Sequence, residues 1–411
     1  MTDATFDRPA RSQLRITPER RDFIVLTLWI TTTFVQFTGD QLLLYPLAAY
    51  YAFSIWRDQR TILPIVAGNW VALAFPVWCA LSILWALEPE AALKDAVYLF
   101  LTILICFQVA ATLTLRQIMH AILLATGFVG IINFIYALTV GPVVSGIFVQ
   151  KNTMGKNMVV LWIVALATAL DPQSARTIRL GAVGLAAIAA IMSVLSTSAT
   201  AILLVLASSL ILIVGAISLR GGFFRVDRLF WTFLMVAAVT TMGAIVLPNL
   251  TVDPVNFVLN EFGKDTTLTG RTVLWEYAEQ QIAEAPALGV GSGGFWRYHA
   301  SPLVQKIYID FYKGPADIFN FHSAYYEIAV HQGLIGLAMA VTGLLWSMMV
   351  LLRSAFVFGT MPLIYFATHM LVVIVRTFTE ADFFQPFVIF HMIFWMGAFA
   401  AYREWKGIPR R

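Results

Sequence analysis

Apolar runs of about twenty residues recur from Phe23 to Ala401, separated by short polar connections. The runs are apolar on every side rather than alternating, which predicts bilayer-crossing α-helices and argues against a β-barrel. Twelve segments are predicted: 23–38, 41–56, 62–86, 95–113, 117–139, 154–170, 178–195, 199–219, 229–248, 323–352, 358–376 and 384–402. One long interruption, 249–321, falls between the ninth and the tenth. The pattern predicts an all-α integral membrane protein of about 12 transmembrane helices: a polar tail over 1–22, a membrane domain over 23–402 with the 249–321 loop inserted, and a second tail over 403–411.

Composition sharpens that picture. Charged residues make up 12% of the chain, about half of the ~25% of soluble domains, and the mean hydropathy is +0.78. Cys79 and Cys106 both fall in predicted spans, so they read as small hydrophobes and imply no disulfide framework. The N-terminal tail carries five arginines, but the first apolar run is long enough to stay in the bilayer, so no cleavable signal peptide is expected. With the N-terminus inside, 18 of the 27 basic residues lie on the cytoplasmic side and only Lys94, Lys151, Lys156 and Arg376 lie on the short outer connections. The excess predicts two cytoplasmic termini and an outer long loop. The net charge of +4 calls for no nucleic acid; anionic membrane lipid accounts for it.

Candidate chemistry gathers on the outer side. In "TLTGRTVLWEYAEQQIAEAPALGVGSGGFW", Thr269 or Gly270 caps a predicted helix whose apolar face is Leu274, Tyr277, Ala278 and Ile282, ending before Pro286. Arg271 sits in its first turn, where the helix dipole disfavours a cation by a few tenths to about 1 kcal/mol. A bound anion would reverse that penalty; a solvated arginine is the other reading, and both stand. Gly289 to Gly294 fit G-x-G-x-x-G literally, but a helix rather than a strand precedes them, so a tight turn that folds the loop back is preferred to a dinucleotide site. His322 stands at the mouth of the tenth span and alone reads first as a hydrogen-bonded boundary residue, second as an acid–base group. His331 reads as a packed or polar core residue. Arg376, Glu380 and Asp382 gather at the last outer connection, and Arg376 and Glu380, four apart, form a candidate pair. Lys151 and Asn152 add polar groups at another outer helix end. Several cations and one imidazole facing one wet compartment make a plausible cradle for a lipid-linked phosphate.

These stretches have a familiar order. Gly270-Arg271 with Trp275, Pro286 to Gly293, His322-Ser323 with Glu327, and Gly333 to Gly336 resemble the O-antigen ligase and Wzy-type polymerase superfamily. Phe148 to Gly155 is similar to that family's F-x-x-K-N-x-x-G stretch, and Thr379-Glu380 resembles exopolysaccharide polymerases of the succinoglycan type. The resemblance covers about residues 150–400. It departs at Ser196-Thr197-Ser198-Ala199, where the family carries a basic residue at the last position; Lys151, Lys156 or Arg376 is a substitute.

The resemblance implies a metal-independent glycosyltransferase of the bacterial inner membrane, without cofactor, that uses an undecaprenyl-diphosphate-linked oligosaccharide. It implies Arg271 on the leaving diphosphate and His322 on the acceptor. Lys151, Asn152, Arg376, Glu380, Trp275 and Gly291 complete the expected substrate-binding set. Exopolysaccharide polymerisation is the expected outcome, with a chain-length regulator and export proteins as partners; transfer to lipid A core or to protein is the alternative. A flippase is the rival from another class, weakened because the charges cluster at span ends rather than mid-span. A metal-dependent monophosphate-lipid enzyme using Asp40 and Glu88-Pro89-Glu90 is a further rival.

Overall fold

The computed structural model describes residues 17–220 and 270–411, apart from Gln36, Pro142 and Ile318. The expected segment 229–248, the candidate cap Thr269 and the first part of the long loop lie outside the described residues. Thirteen α-helices form, and no strand forms among the described residues. In chain order they are α1 (Pro18–Phe34), α2 (Gln41–Gly68), α3 (Val71–Leu81, continued by a 3-10 turn, Ser82–Leu84), α4 (Pro89–Thr112), α5 (Leu115–Val140), α6 (Lys151–Leu170), α7 (Arg176–Leu195), α8 (Ala199–Arg220), α9 (Arg271–Glu284), α10 (Pro302–Asp310), α11 (Ala324–Phe358), α12 (Met361–Thr377) and α13 (Ile389–Trp405). Among the described residues six helices are long and apolar enough to cross a membrane: α4, α5, α6, α7, the Thr200–Ser218 part of α8, and α11; α2 with α3, bent by 95°, makes a seventh if counted as one span. The helices α4 to α8 and α11 to α13 overlay the expected segments.

The segments 41–56 and 62–86 do not form as drawn. Arg57, Asp58 and Arg60 sit inside a continuous α2, and the break comes at Asn69 instead. Nothing in 57–61 opposes a helix, and the charges are satisfied by pairing: Arg57 binds Asp58 through two hydrogen bonds. Asn69 ends the helix by turning its side-chain amide back onto the Ile65 carbonyl at 2.9 Å, and the Trp346 indole holds its oxygen from α11.

Packing inverts the rule for water-soluble helices. On α7 the buried stripe is Ala182, Ala186, Ala189 and Met192, while Leu180, Val183 and Val194 are exposed. Small residues inward and large ones outward suit helices that contact each other closely and face lipid. By contrast, α13 is buried along nearly its whole length, as a helix hydrophobic all round must be. Its Arg403, 2% exposed, donates to the Ala110 and Leu113 carbonyls and so caps the end of α4.

The described part of the long loop has its own core. Leu274, Tyr277 and Ala278 of α9 pack with Val304, Ile307 and Tyr308 of α10, with Phe295 and Phe321, and with Val330 of α11. Of the face expected for α9, Leu274, Tyr277 and Ala278 are buried and Ile282 packs half-buried against the same core, with Gln281 buried beside them. The glycine run docks this unit onto α11. Gly333 breaks α11 with φ +67°, and a Cβ on Gly289 would stand 2.6 Å from the Gly333 nitrogen. Only glycine allows that approach. Backbone bonds replace the lost helical ones: Val290 N–H to Val330 O (3.1 Å), Gly291 N–H to His331 O (2.8 Å), Leu334 N–H to Pro286 O (2.8 Å) and Ile335 N–H to Ala287 O (3.4 Å). The run is therefore a glycine-rich turn against a helix break, with Val290 packed into the loop core and Ser292 accepting from Gln332.

Candidate functional site

A cavity of about 170 Å³ lies where the starts of α6, α8 and α9 meet the His322 loop and the end of α12. Gln150, Asn152, Thr153, Lys156, Ser198, Thr200, Arg271, His322, Arg376 and Glu380 form its polar wall. Asn152, Arg271, His322, Arg376 and Glu380 of the expected set thus converge, from parts of the chain more than 200 positions apart. Lys151, Trp275 and Gly291 do not line it. Lys151 is exposed beside the start of α6, because helical phase puts Asn152, Thr153 and Lys156 on the cavity face and Lys151 off it. Gly291 is buried in the loop–α11 joint, and the Trp275 indole donates to the Phe321 carbonyl at 2.9 Å.

The position that departs from the family pattern borders this cavity. The Ala199 side chain lies outside the described residues, but Ser198 and Thr200 on either side of it line the wall. Lys156 comes from the adjacent helix. Gly155 makes that possible: a Cβ there would sit 2.9 Å from that of Ala201 and 3.0 Å from that of Ser198. The missing side chain lets α6 press against α8.

Charges are organised around Asp382, a residue outside the expected site set. Its Oδ2 accepts from Arg376 at 3.0 Å and lies 3.5 Å from the Lys156 ammonium; its Oδ1 lies 3.8 Å from His391 Nε2. Burial opposes the charged carboxylate, but His391, Arg376 and Lys156 outweigh it and hold Asp382 well below the usual carboxylate range. Arg376 therefore does not pair with Glu380 as the spacing suggested. Glu380 turns instead to His322, with Oε2 3.9 Å from Nδ1. Burial again opposes its charge, and the contact with His322 and the field of Arg376 prevail, so its carboxyl is lowered. Lys156, Arg271 and Arg376 stand against Glu380 and Asp382, three cations against two anions, an excess of one positive charge before either His322 or His391 is counted. Arg271 makes no ion pair among the described residues, and the Gly270 cap, at φ +90°, leaves the first turn of α9 without a side-chain acceptor.

His322 is held in an uncommon backbone conformation, φ +49°. A non-glycine residue there costs roughly 1–2 kcal/mol and persists where neighbours impose it. Beside the cavity opens a larger, more apolar cleft of about 500 Å³ that shares Gln150, Thr153, Lys156 and Phe390 with it and reaches Thr32, Thr33 and Asp40. No sequence signal marked this cleft, since its walls come from four separate stretches. Among the described residues no group of three or more His, Cys, Asp and Glu gathers as metal ligands would.

Residues 184–341 match the family model described as O-antigen ligase, a stretch that includes Arg271 and His322 and stops before Arg376 and Glu380. The chain is also 25% identical over 365 residues to the exopolysaccharide production protein ExoQ of Rhizobium meliloti (strain 1021), covering 82% of this chain and 79% of that protein. The all-helical architecture and the apolar helices agree with both likenesses. Residues 184–341 are thus similar to the O-antigen ligase family, within a helical protein similar over most of its length to an exopolysaccharide production protein.

Proposed function

We propose that the protein polymerises undecaprenyl-diphosphate-linked oligosaccharide repeats into exopolysaccharide at the periplasmic face of the inner membrane, as a metal-independent glycosyltransferase with both termini in the cytoplasm. One observation carries the reading: Arg271, His322, Arg376 and Glu380 meet in a single cavity with a surplus of positive charge. The likeness to an exopolysaccharide production protein supports the product class.

The chemistry follows from the charges. An acceptor hydroxyl oxygen attacks the anomeric carbon. The bond from that carbon to the phosphate oxygen breaks, and its electron pair leaves on the diphosphate. Arg271 and Arg376 offset the charge that develops there. The hydroxyl proton passes to His322, and Glu380 stabilises the imidazolium. The adjoining cleft gives the bulk attached to the phosphate room beside the cations.

Transfer to lipid A core or to protein is the second reading, favoured by the description of the matching family. The glycan that accumulates in a deletion strain separates the two. Lipid-linked single repeats are expected for a polymerase; free long chains would overturn that in favour of a ligase. In liposomes, growth of long chains from purified lipid-linked repeats is expected and should persist in excess chelator. Repeat flux across the bilayer without chain growth would point to the flippase.

A further inference from the structure

The peptide groups flanking Phe321 are pinned from both sides. The Phe321 N–H donates to Glu327 Oε2 at 3.0 Å, and its carbonyl accepts from the Trp275 indole at 2.9 Å. The next N–H, that of His322 itself, donates to the Asn320 side-chain oxygen at 2.9 Å. Glu327 is fixed in turn: its Oε1 accepts from the Trp296 indole at 2.8 Å and lies 3.4 Å from His331 Nε2, while His331 Nδ1 meets the Gly291 carbonyl at 3.1 Å. The Phe321 ring is fully buried between Phe295 and Trp296. Trp275 also stacks on Tyr326, with ring centroids 5.5 Å apart.

We propose that Trp275 and Glu327 are positioning residues that clamp the Phe321 peptides and so impose the left-handed backbone that aims His322 into the cavity. The inference rests on His322 being the acid–base group. A residue in that conformation reverts to ordinary backbone angles unless its neighbours over-determine it. Here two side chains on separate helices, neither lining the cavity, supply the constraint. Arg271 and Trp275 are one turn apart on α9, so a single rigid element sets both the cation at the phosphate and the clamp on the histidine. The spacing between leaving-group cation and imidazole is thereby fixed by one helix.

Steady-state chain growth by purified Trp275→Phe, Glu327→Gln and Glu327→Ala proteins in liposomes tests this, using lipid-linked repeats as the probe. Misplacing a reacting group by about 1 Å costs up to about 10²-fold. The expected result is a kcat lowered about 10- to 100-fold with KM within about twofold. Glu327→Gln, which keeps one acceptor oxygen, should recover part of what Glu327→Ala loses. A merely structural role would lower yield and melting temperature without separating kcat from KM. Trp275→Phe keeps an aromatic ring to stack on Tyr326 and loses the indole donor, so it carries the test if Glu327→Ala does not fold. An inactive His322→Ala protein with wild-type kcat in Trp275→Phe and Glu327→Gln overturns the clamp alone. Wild-type turnover by His322→Ala overturns the acid–base reading and the clamp with it.

Discussion

The two ends of the bundle hold charge in opposite ways. At the end where α1 begins and α4 and α13 finish, Asp58 accepts from Arg57, from Gln108 at 2.8 Å and from Arg411 at 2.9 Å, and Asp22 accepts from Arg21 and Tyr50. Each acid is enclosed by donors. At the end where α6 and α11 begin, His322 Nδ1, Arg376 Nε, Asp382 Oδ1 and both ring nitrogens of His391 have no hydrogen-bond partner among the described residues. Buried polar atoms are ordinarily satisfied. The enclosed end leaves one such atom beside its acids, Gln108 Oε1, whereas the open end leaves five around Asp382 and the cavity, where cations outnumber carboxylates.

The strongest way to break this contrast is at the open end. Arg271→Ala and His322→Ala should each reduce long-chain glycan by at least about 10²-fold while the protein remains inserted; gel analysis of chain length reads the result, and normal chains in both would end the site assignment. Asp58→Asn should do the reverse. It strands Arg57 and Arg411 and should cost roughly 1–3 kcal/mol of stability, discounted for their partial exposure. Thermal unfolding in detergent should show that loss, with kcat per folded molecule unchanged.

Acid sharpens the comparison further. A carboxyl lowered in the folded state stabilises fully above its unfolded value of about 4 and loses that contribution as pH falls through the folded value. Asp382 is lowered by its three basic neighbours. The melting-temperature gap between wild type and Asp382→Asn should therefore stay constant from pH 8 to 5 and shrink only below about pH 4; a gap that closes near pH 6 would contradict the ion-pair cage. The smallest effect is expected at Lys151. Exposed and off the cavity face, its replacement by alanine should alter stability by less than about 0.5 kcal/mol and turnover by less than about threefold.

Legibility in the sequence followed the range of the interactions. The apolar runs and the buried face of α9 were readable because helical spacing is local. The continuity of α2 was not, because the charges at 57–60 looked like a connection. Their neutralisation involves Gln108 and Arg411, 50 and 353 positions from Asp58. Arg271, His322, Arg376 and Glu380 stood out as polar groups at span ends, yet their pairing did not. Asp382 takes Arg376, and Glu380 takes His322. Preferring Lys156 to Lys151 needed only the phase of α6, since Asn152 and Lys156 are four apart and share a face.

The joint between the loop and α11 sets what that end of the protein is able to do. Four main-chain hydrogen bonds cross it at the Gly333 break, where the turn stands in for a missing helical rung. Peeling it away would bare those amides and carbonyls at about 1–3 kcal/mol each. The seam depends on the lack of a β-carbon at Gly289 and Gly333, so alanine at either would force the loop unit off α11 while leaving every charged group intact.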